Sequence, residues 1–219
     1  MGAVLDGTYL HHRRGMFAAL ESQRHELIYG AYGISEGPIG LRLFFQRLTN
    51  HGIVLKTATI DGNPSLFRML RAVWPDILIQ RCLVHIQRQG LMWCRHNPKR
   101  ADARSLRKIF QDVLSVHTHQ EKHNFLRRVE VWETRFGAPF DHRGTIHGWV
   151  ATDLQKARSM LLKALPYMFQ YLDDEKIPFS TNMAEGYFSR LKKRYRAHQG
   201  IVLKHREHYF RWYFHLCQR

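Results

Sequence analysis

Twice within its first 62 residues the chain runs an apolar, β-type segment into an aspartate followed by a glycine: Ala3-Val4-Leu5-Asp6-Gly7 and Thr57-Ala58-Thr59-Ile60-Asp61-Gly62. A charge inside an apolar strand is costly unless something compensates it, so both aspartates belong where their strands leave the core. In an open α/β sheet that place, the carboxyl end of a strand, is where sites collect. If the two strands are neighbours, the carboxylates meet and can share a divalent ion that relieves their repulsion. The local alternative is that each Asp-Gly only signals a turn.

The surrounding pattern predicts the sheet these strands enter. AVLDGTYL, MFAALE and HELIYGAYGI read as three consecutive strands, an antiparallel meander broken at Gly15 and at SQRH. GPIGLRLFFQRLTNHG follows as an amphipathic helix, with Pro38 near its start, Gly52 at its end, and Ile39, Leu43, Phe44 and Leu48 on a helical spacing. LKTATIDG returns as a strand, PSLFRMLRAVWP as a helix and ILIQRCLVH as a strand. Strands alternating with helices imply parallel pairing by crossovers. The expected fold class is α/β: a mixed sheet of three antiparallel and two parallel strands with flanking helices. From about Ile86 to Lys176 helical patterns take over, with a looser patch at GAPFDHRGTIHG, and the chain closes on the aromatic helix HREHYFRWYFHLC. The expected division is a core over residues 1–86, a mainly helical insertion over 87–178, and C-terminal helices over 179–219 that complete the core.

Charge narrows the partner. Lys and Arg number 34 against 18 acidic residues, a formal +16 with a pI near 10.2, and the basic residues run along the whole chain. A polyanion is the natural partner. No apolar run reaches the roughly 20 residues of a membrane span and no signal-peptide pattern opens the chain, so nucleic acid is favoured over a membrane and a cytoplasmic, nucleoid-associated location is expected. Ribosomal and chromatin-like proteins share such a charge, so it leaves the activity open. Cys82, Cys94 and Cys217 are read as free thiols of a reducing compartment.

A third carboxylate, Glu185, stands at the front of the basic helix in IPFSTNMAEGYFSRLKKRYR. Ser189, Lys192 and Arg196 follow it at i+4, i+7 and i+11 on one face, while Ala184, Phe188, Leu191 and Tyr195 form a separate apolar stripe. Glu185 could instead be the N3 partner of an Asn182 cap, a capping box worth roughly 1 kcal/mol. A lone acid leading a row of phosphate-binding groups on so basic a chain fits a metal site flanked by DNA backbone contacts. Lys192, Lys193, Arg194 and Arg196 are candidates for those contacts, which position DNA without reading its sequence. A zinc site on Cys82, His85, Cys94 and His96 has poor spacing and is disfavoured. PYMFQYL and YFRWYF read as core and helix packing rather than base-stacking platforms.

The ordered series LDGTYL, TIDG, QRCLVH and STNMAEGYFSRLKKR resembles the DDE transposases of bacterial insertion sequences related to the Mutator superfamily. The resemblance runs through nearly the whole chain, and a C-x2-H just after the second acidic strand is fairly specific to that group. It implies an RNase H-like core and a triad of Asp6, Asp61 and Glu185 holding two divalent ions, Mg²⁺ or Mn²⁺. Hard ions of this kind prefer oxygen ligands. It also implies a Cys82–His85 element near the active site and an insertion tryptophan, matched best by Trp132 with Trp149 as rival. The implied reaction is cleavage at transposon ends, then transfer of the freed 3′-hydroxyl to target DNA, by an enzyme self-associated on DNA. Two further readings stand beside it: an RNase H-like nuclease without strand transfer, and a truncated or inactive transposase that only binds DNA. Family members normally carry an N-terminal region that recognises transposon ends, whereas here the first catalytic strand starts at Ala3. The chain therefore reads as a catalytic portion, a truncated copy or an expressed fragment.

Overall fold

A computed structural model describes residues 1–10, 15–140, 149–198 and 200–217 of the chain. These form two compact units: residues 1–82 together with 174–219, and residues 83–173. The sequence-based boundary at 86/87 falls within the first turn of the helix that opens the second unit.

The first unit is built on five strands, β1 (Gly2–Tyr9), β2 (Gly15–Glu21), β3 (Leu27–Tyr32), β4 (Thr57–Ile60) and β5 (Leu78–Arg81), in the spatial order β3-β2-β1-β4-β5. β1 pairs antiparallel with β2, and β2 with β3; β4 lies parallel to β1, and β5 parallel to β4. The mixed sheet expected from the pattern is therefore present. β2 is buried on both faces, which is why GMFAAL shows no polar alternation. Its two faces are covered by different helices.

On one face lie α1 (Pro38–Asn50) and α2 (Pro64–Val73), with Phe44 of α1 edge-on to Phe17 of β2 at 4.8 Å between ring centroids. The stripe expected for α1 is displaced. Gly40, Leu41, Phe44, Phe45 and Leu48 are buried, whereas Ile39 is 77% and Leu43 44% exposed. The buried face of α1 includes Gly40, which lies against the backbone of Ser35, so a count of large apolar residues misplaces its centre.

On the other face lie α7 (Asn182–Ala197) and α8 (Leu203–Cys217). Val4, Met16, Ala18 and Leu20 of the sheet pack with Ala184, Tyr187, Phe188, Leu191 and Tyr195 of α7 and with Phe210 and Phe214 of α8. The apolar stripe of α7 is thus the expected one, widened by Tyr187. Phe214 fills the space above Gly30 where a side chain on β3 would stand.

The second unit is helical: α3 (Leu83–Cys94), α4 (Ala101–Gln111), α5 (His119–Phe136) and α6 (Trp149–Ala164), with short 3₁₀ turns between and after them. Its own core joins Leu83 and Ile86 to Leu106, Phe110, Phe125, Trp132, Leu154 and Leu161. α5 starts in a capping box in which the Thr118 side chain accepts the Glu121 amide and the Glu121 carboxylate accepts back. One reading is corrected here. ILIQRCLVH is not one strand: the extended pairing ends at Arg81, and Leu83, Val84 and His85 already belong to α3. A short unbroken apolar run carries no period that separates the two. Most of the looser GAPFDHRGTIHG patch, from Asp141 to Gly148, lies outside the described residues.

Candidate active site

β1 and β4 are in parallel register through Val4 and Thr59, so carrying the register two residues on sets Asp6 beside Asp61 at the carboxyl end of the sheet. Both are half-buried. Side chains alternate along β1: Val4 packs into the α7 cluster and the Thr8 hydroxyl accepts a hydrogen bond from Lys192 of α7 at 2.5 Å. Asp6, between them, faces α7 as well. The Asp6 carboxylate accepts the Gly7 amide, and that of Asp61 the Asn63 amide, each at 2.9 Å.

Neither glycine of the two Asp-Gly pairs serves a hairpin. Gly7 lies inside β1, and neither Gly7 nor Gly62 adopts a positive φ. Each instead makes room for a charged neighbour. A Cβ on Gly7 would stand on the carboxylate of Glu36, and one on Gly62 would stand on the guanidinium of Arg81. Arg81 is held there by a 2.5 Å hydrogen bond from its Nε to the Asp61 carbonyl. Burial pulls the pKa of Arg81 down, against the opposing charges of Asp61 and Cys82.

Glu36 is the residue that sequence reading missed. Burial raises its pKa, a hydrogen bond from Asn63 lowers it, and the charge of Asp61 raises it further. Asn63 ties the corner together. Its amide bonds Asp61, its side-chain nitrogen reaches the Glu36 carbonyl at 3.1 Å and carboxylate at 3.3 Å, and its side-chain oxygen caps α2. The legible signal was Asn63-Pro64, a cap followed by an N1 proline. Nothing local marks Glu36.

Glu185 sits in the first turn of α7, but not in a capping box on Asn182. The cap residue is Thr181, Asn182 is already helical, and the Glu185 amide bonds the Thr181 carbonyl at 3.1 Å. The Thr181 side chain is committed elsewhere: its hydroxyl and its amide both donate to the buried Cys82 sulfur, at 3.4 and 3.3 Å. The Cys82 amide in turn donates to the Ile60 carbonyl at 2.7 Å. Cys82 therefore links the end of β4 to the start of the helix that carries Glu185. His85 is half-buried in the first turn of α3, with which the second unit begins.

Lys192 lies two turns beyond Glu185 on the same face of α7. Burial and the charge of Arg196 lower its pKa, and Asp6 opposes them. Ser189, Lys193, Arg194 and Arg196 are exposed. Among the described residues, no three His, Cys, Asp or Glu side chains stand close enough together to hold a metal ion, so Asp6, Asp61 and Glu185 do not close into one cluster. By the same measure Asp6, Asp61 and Glu36 form no such cluster; what suits a hard divalent ion is only their donor type, since all of these side chains offer oxygen. Cys94 lies in the core of the second unit, and burial pushes its thiol up to about 12.

Trp132 belongs to the core of the second unit. It is 2% exposed, donates its indole N–H to the Asp102 carbonyl at 2.9 Å, and packs beside Phe136 and Phe140. Trp149 opens α6, and its side chain lies outside the described residues.

Fold and site define an α/β protein with acidic groups at the ends of adjoining parallel strands and a cationic helix alongside. Residues 26–202 match the family model described as "Transposase, Mutator family", and the chain belongs to that family of DNA-processing enzymes. Asp6 precedes the matched segment; Asp61 and Glu185 lie within it. Comparison with curated proteins gave no significant match. No described helix is long and apolar enough to cross a membrane.

Proposed function

We propose that the chain is the catalytic region of a DDE-type transposase with an RNase H-like core, in which Asp6, Asp61 and Glu185 are the acidic triad. The observation that carries this reading is the juxtaposition of Asp6 and Asp61 on adjoining parallel strands of a Mutator-family chain. Asp6, Asp61 and Glu185 would hold Mg²⁺ or Mn²⁺, two ions in all, which when bound activate the attacking oxygen and stabilise the leaving oxygen at phosphorus. The chain's own part is positional. The Thr181–Cys82 hydrogen bonds fix where α7 begins, and with it Glu185. Arg81 and Asn63 fix the Asp61 corner. Ser189, Lys192, Lys193, Arg194 and Arg196 take the phosphate backbone, and Lys192 stands at the scissile strand's approach to Asp6. DNA is cut at the transposon ends and the 3′-hydroxyl is joined to target DNA, by a self-associated enzyme.

The test is metal-dependent nicking and joining of labelled DNA by the wild-type chain beside Asp61→Asn and Glu185→Gln proteins that still bind DNA. Cutting and joining by the wild type alone supports the reading. Cutting without joined products would make the chain a nuclease. DNA binding insensitive to chelator, with no cleavage by any of the three, would leave a DNA-binding remnant.

A further inference from the structure

Between α4 and α5, within the second unit, lies a cavity of about 460 Å³ whose lining includes four cations, Lys108, Arg127, Arg128 and Arg135, and no acidic residue. Arg128 is paired with Asp112 at 2.6 Å. Lys108, Arg127 and Arg135 are exposed and have no acidic partner among the described residues. Like charges gathered in a concavity repel one another, and their combined field favours an anion there. Apolar side chains, Val131 and Trp132 among them, and the polar Ser105 and Asn124 also line it.

We propose that this groove is a second DNA-binding site, which takes the sugar-phosphate backbone of a strand lying along α5. Three features select that occupant. The cations form a line rather than a point: Arg127 and Arg135 are eight residues apart on α5, about 12 Å at 1.5 Å per residue. That length exceeds the size of one phosphate, so the row suits successive phosphates of a strand rather than an isolated one. The indole N–H of Trp132 is already bonded to the Asp102 carbonyl, and the charged groups of the lining suit phosphates, a contact that positions a strand without reading its sequence. The rest of the chain is basic too, which suits an extended polyanion.

The inference rests on the reading of this chain as DNA-acting, and its test uses binding rather than cleavage. The full chain and its Lys108→Gln/Arg127→Gln/Arg135→Gln variant are titrated with a short labelled duplex in chelator, by fluorescence anisotropy, between about 50 and 200 mM salt. Three lost contacts make the slope of log K against log salt shallower by about 2.7, at about 0.9 per phosphate. An unchanged melting temperature in the variant assigns the loss to the groove rather than to unfolding. Equal affinity and slope in the two proteins would overturn the groove while leaving the catalytic reading intact. Failure of the wild type to bind duplex at the lowest salt would overturn both. Binding of inorganic phosphate that the triple variant abolishes, with duplex binding the same in both proteins, would assign an isolated phosphate in place of a strand.

Discussion

Replacing Gly62 with alanine tests how the Asp61 corner is assembled. The backbone tolerates the change, because Gly62 does not adopt a positive φ, so its cost comes from space alone. A methyl there meets Arg81 at Nη2 and Cζ, both closer than the 3.0 Å below which real Cβ contacts essentially never fall. The guanidinium must swing away, and its hydrogen bond to the Asp61 carbonyl is lost with it. A bond of this charge-assisted kind is worth about 1.5–3 kcal/mol. Against it, Gly→Ala restricts the unfolded chain and returns about 0.4–1 kcal/mol. The balance is a loss of about 1–2 kcal/mol, or roughly 2–8 °C in melting temperature at 2–4 °C per kcal/mol for a chain of this size. The assay is thermal unfolding of four proteins: wild type, Gly62→Ala, Arg81→Ala and the double variant. With the arginine gone the methyl meets nothing closer than 3.4 Å, so Gly62→Ala becomes neutral or slightly stabilising in that background. A Gly62→Ala protein as stable as wild type, or one whose loss is the same with and without Arg81, would refute the reasoning.

Two further outcomes concern the second unit. Trp132→Ala empties a buried site and removes the donor to the Asp102 carbonyl, so it costs about 3–5 kcal/mol in denaturant unfolding; a loss of DNA binding at unchanged stability would instead make the indole a DNA contact. Burial acts to raise the pKa of Asp102, but hydrogen bonds from Arg100 and the Ala103 amide, with the charge of Arg100, outweigh it and leave the pKa below the usual carboxylate range. A depressed folded pKa contributes stability that is fully present above the unfolded value and lost as pH falls through the folded one. Asp102→Asn is therefore less stable than wild type at neutral pH, and the two unfolding curves converge in acid below the ordinary aspartate range. A difference independent of pH would show that the charge is not what stabilises.

Much of this architecture was legible because strands and helices write different periods. The alternation of short apolar runs with amphipathic stretches gave five strands with mixed antiparallel and parallel pairing, and two Asp-Gly pairs marked the acids that the register set side by side, although Asp6 and Gly7 lie inside β1 rather than at its end. The misreadings share one cause, which is that a non-local partner decided the local outcome. Asn182 makes a better sequence cap than Thr181, yet Thr181 is the cap residue, its side chain held by a sulfur 99 positions away. Leu83 to His85 look like the continuation of a strand, yet pairing stops at Arg81, whose side chain turns back to Asp61. Glu36 stands between Ser35 and Gly37, indistinguishable from a loop residue until the fold lays it on Gly7.

The two Asp-Gly pairs look alike in sequence but are answered by opposite charges. At Asp6-Gly7 the neighbour is the carboxylate of Glu36; at Asp61-Gly62 it is the guanidinium of Arg81. A strand end chosen only for turn geometry would have no reason to seat a charged side chain on each glycine. Placing Asp61 and Glu36 at one corner of a chain with only 18 acidic residues is unfavourable: the pKa of Glu36 is raised, chiefly by burial and in smaller part by the charge of Asp61. The chain answers that charge with two of its own cations, Arg81 at the Asp61 carbonyl and Lys192 near Asp6, each partly desolvated by the fold. Arg81 bonds the Asp61 carbonyl and Lys192 the Thr8 hydroxyl, so both cations are held in place by the same segments of chain that carry the acids. A corner serving stability alone would be better built with fewer charges, which supports the proposal that Asp6 and Asp61 belong to an active site.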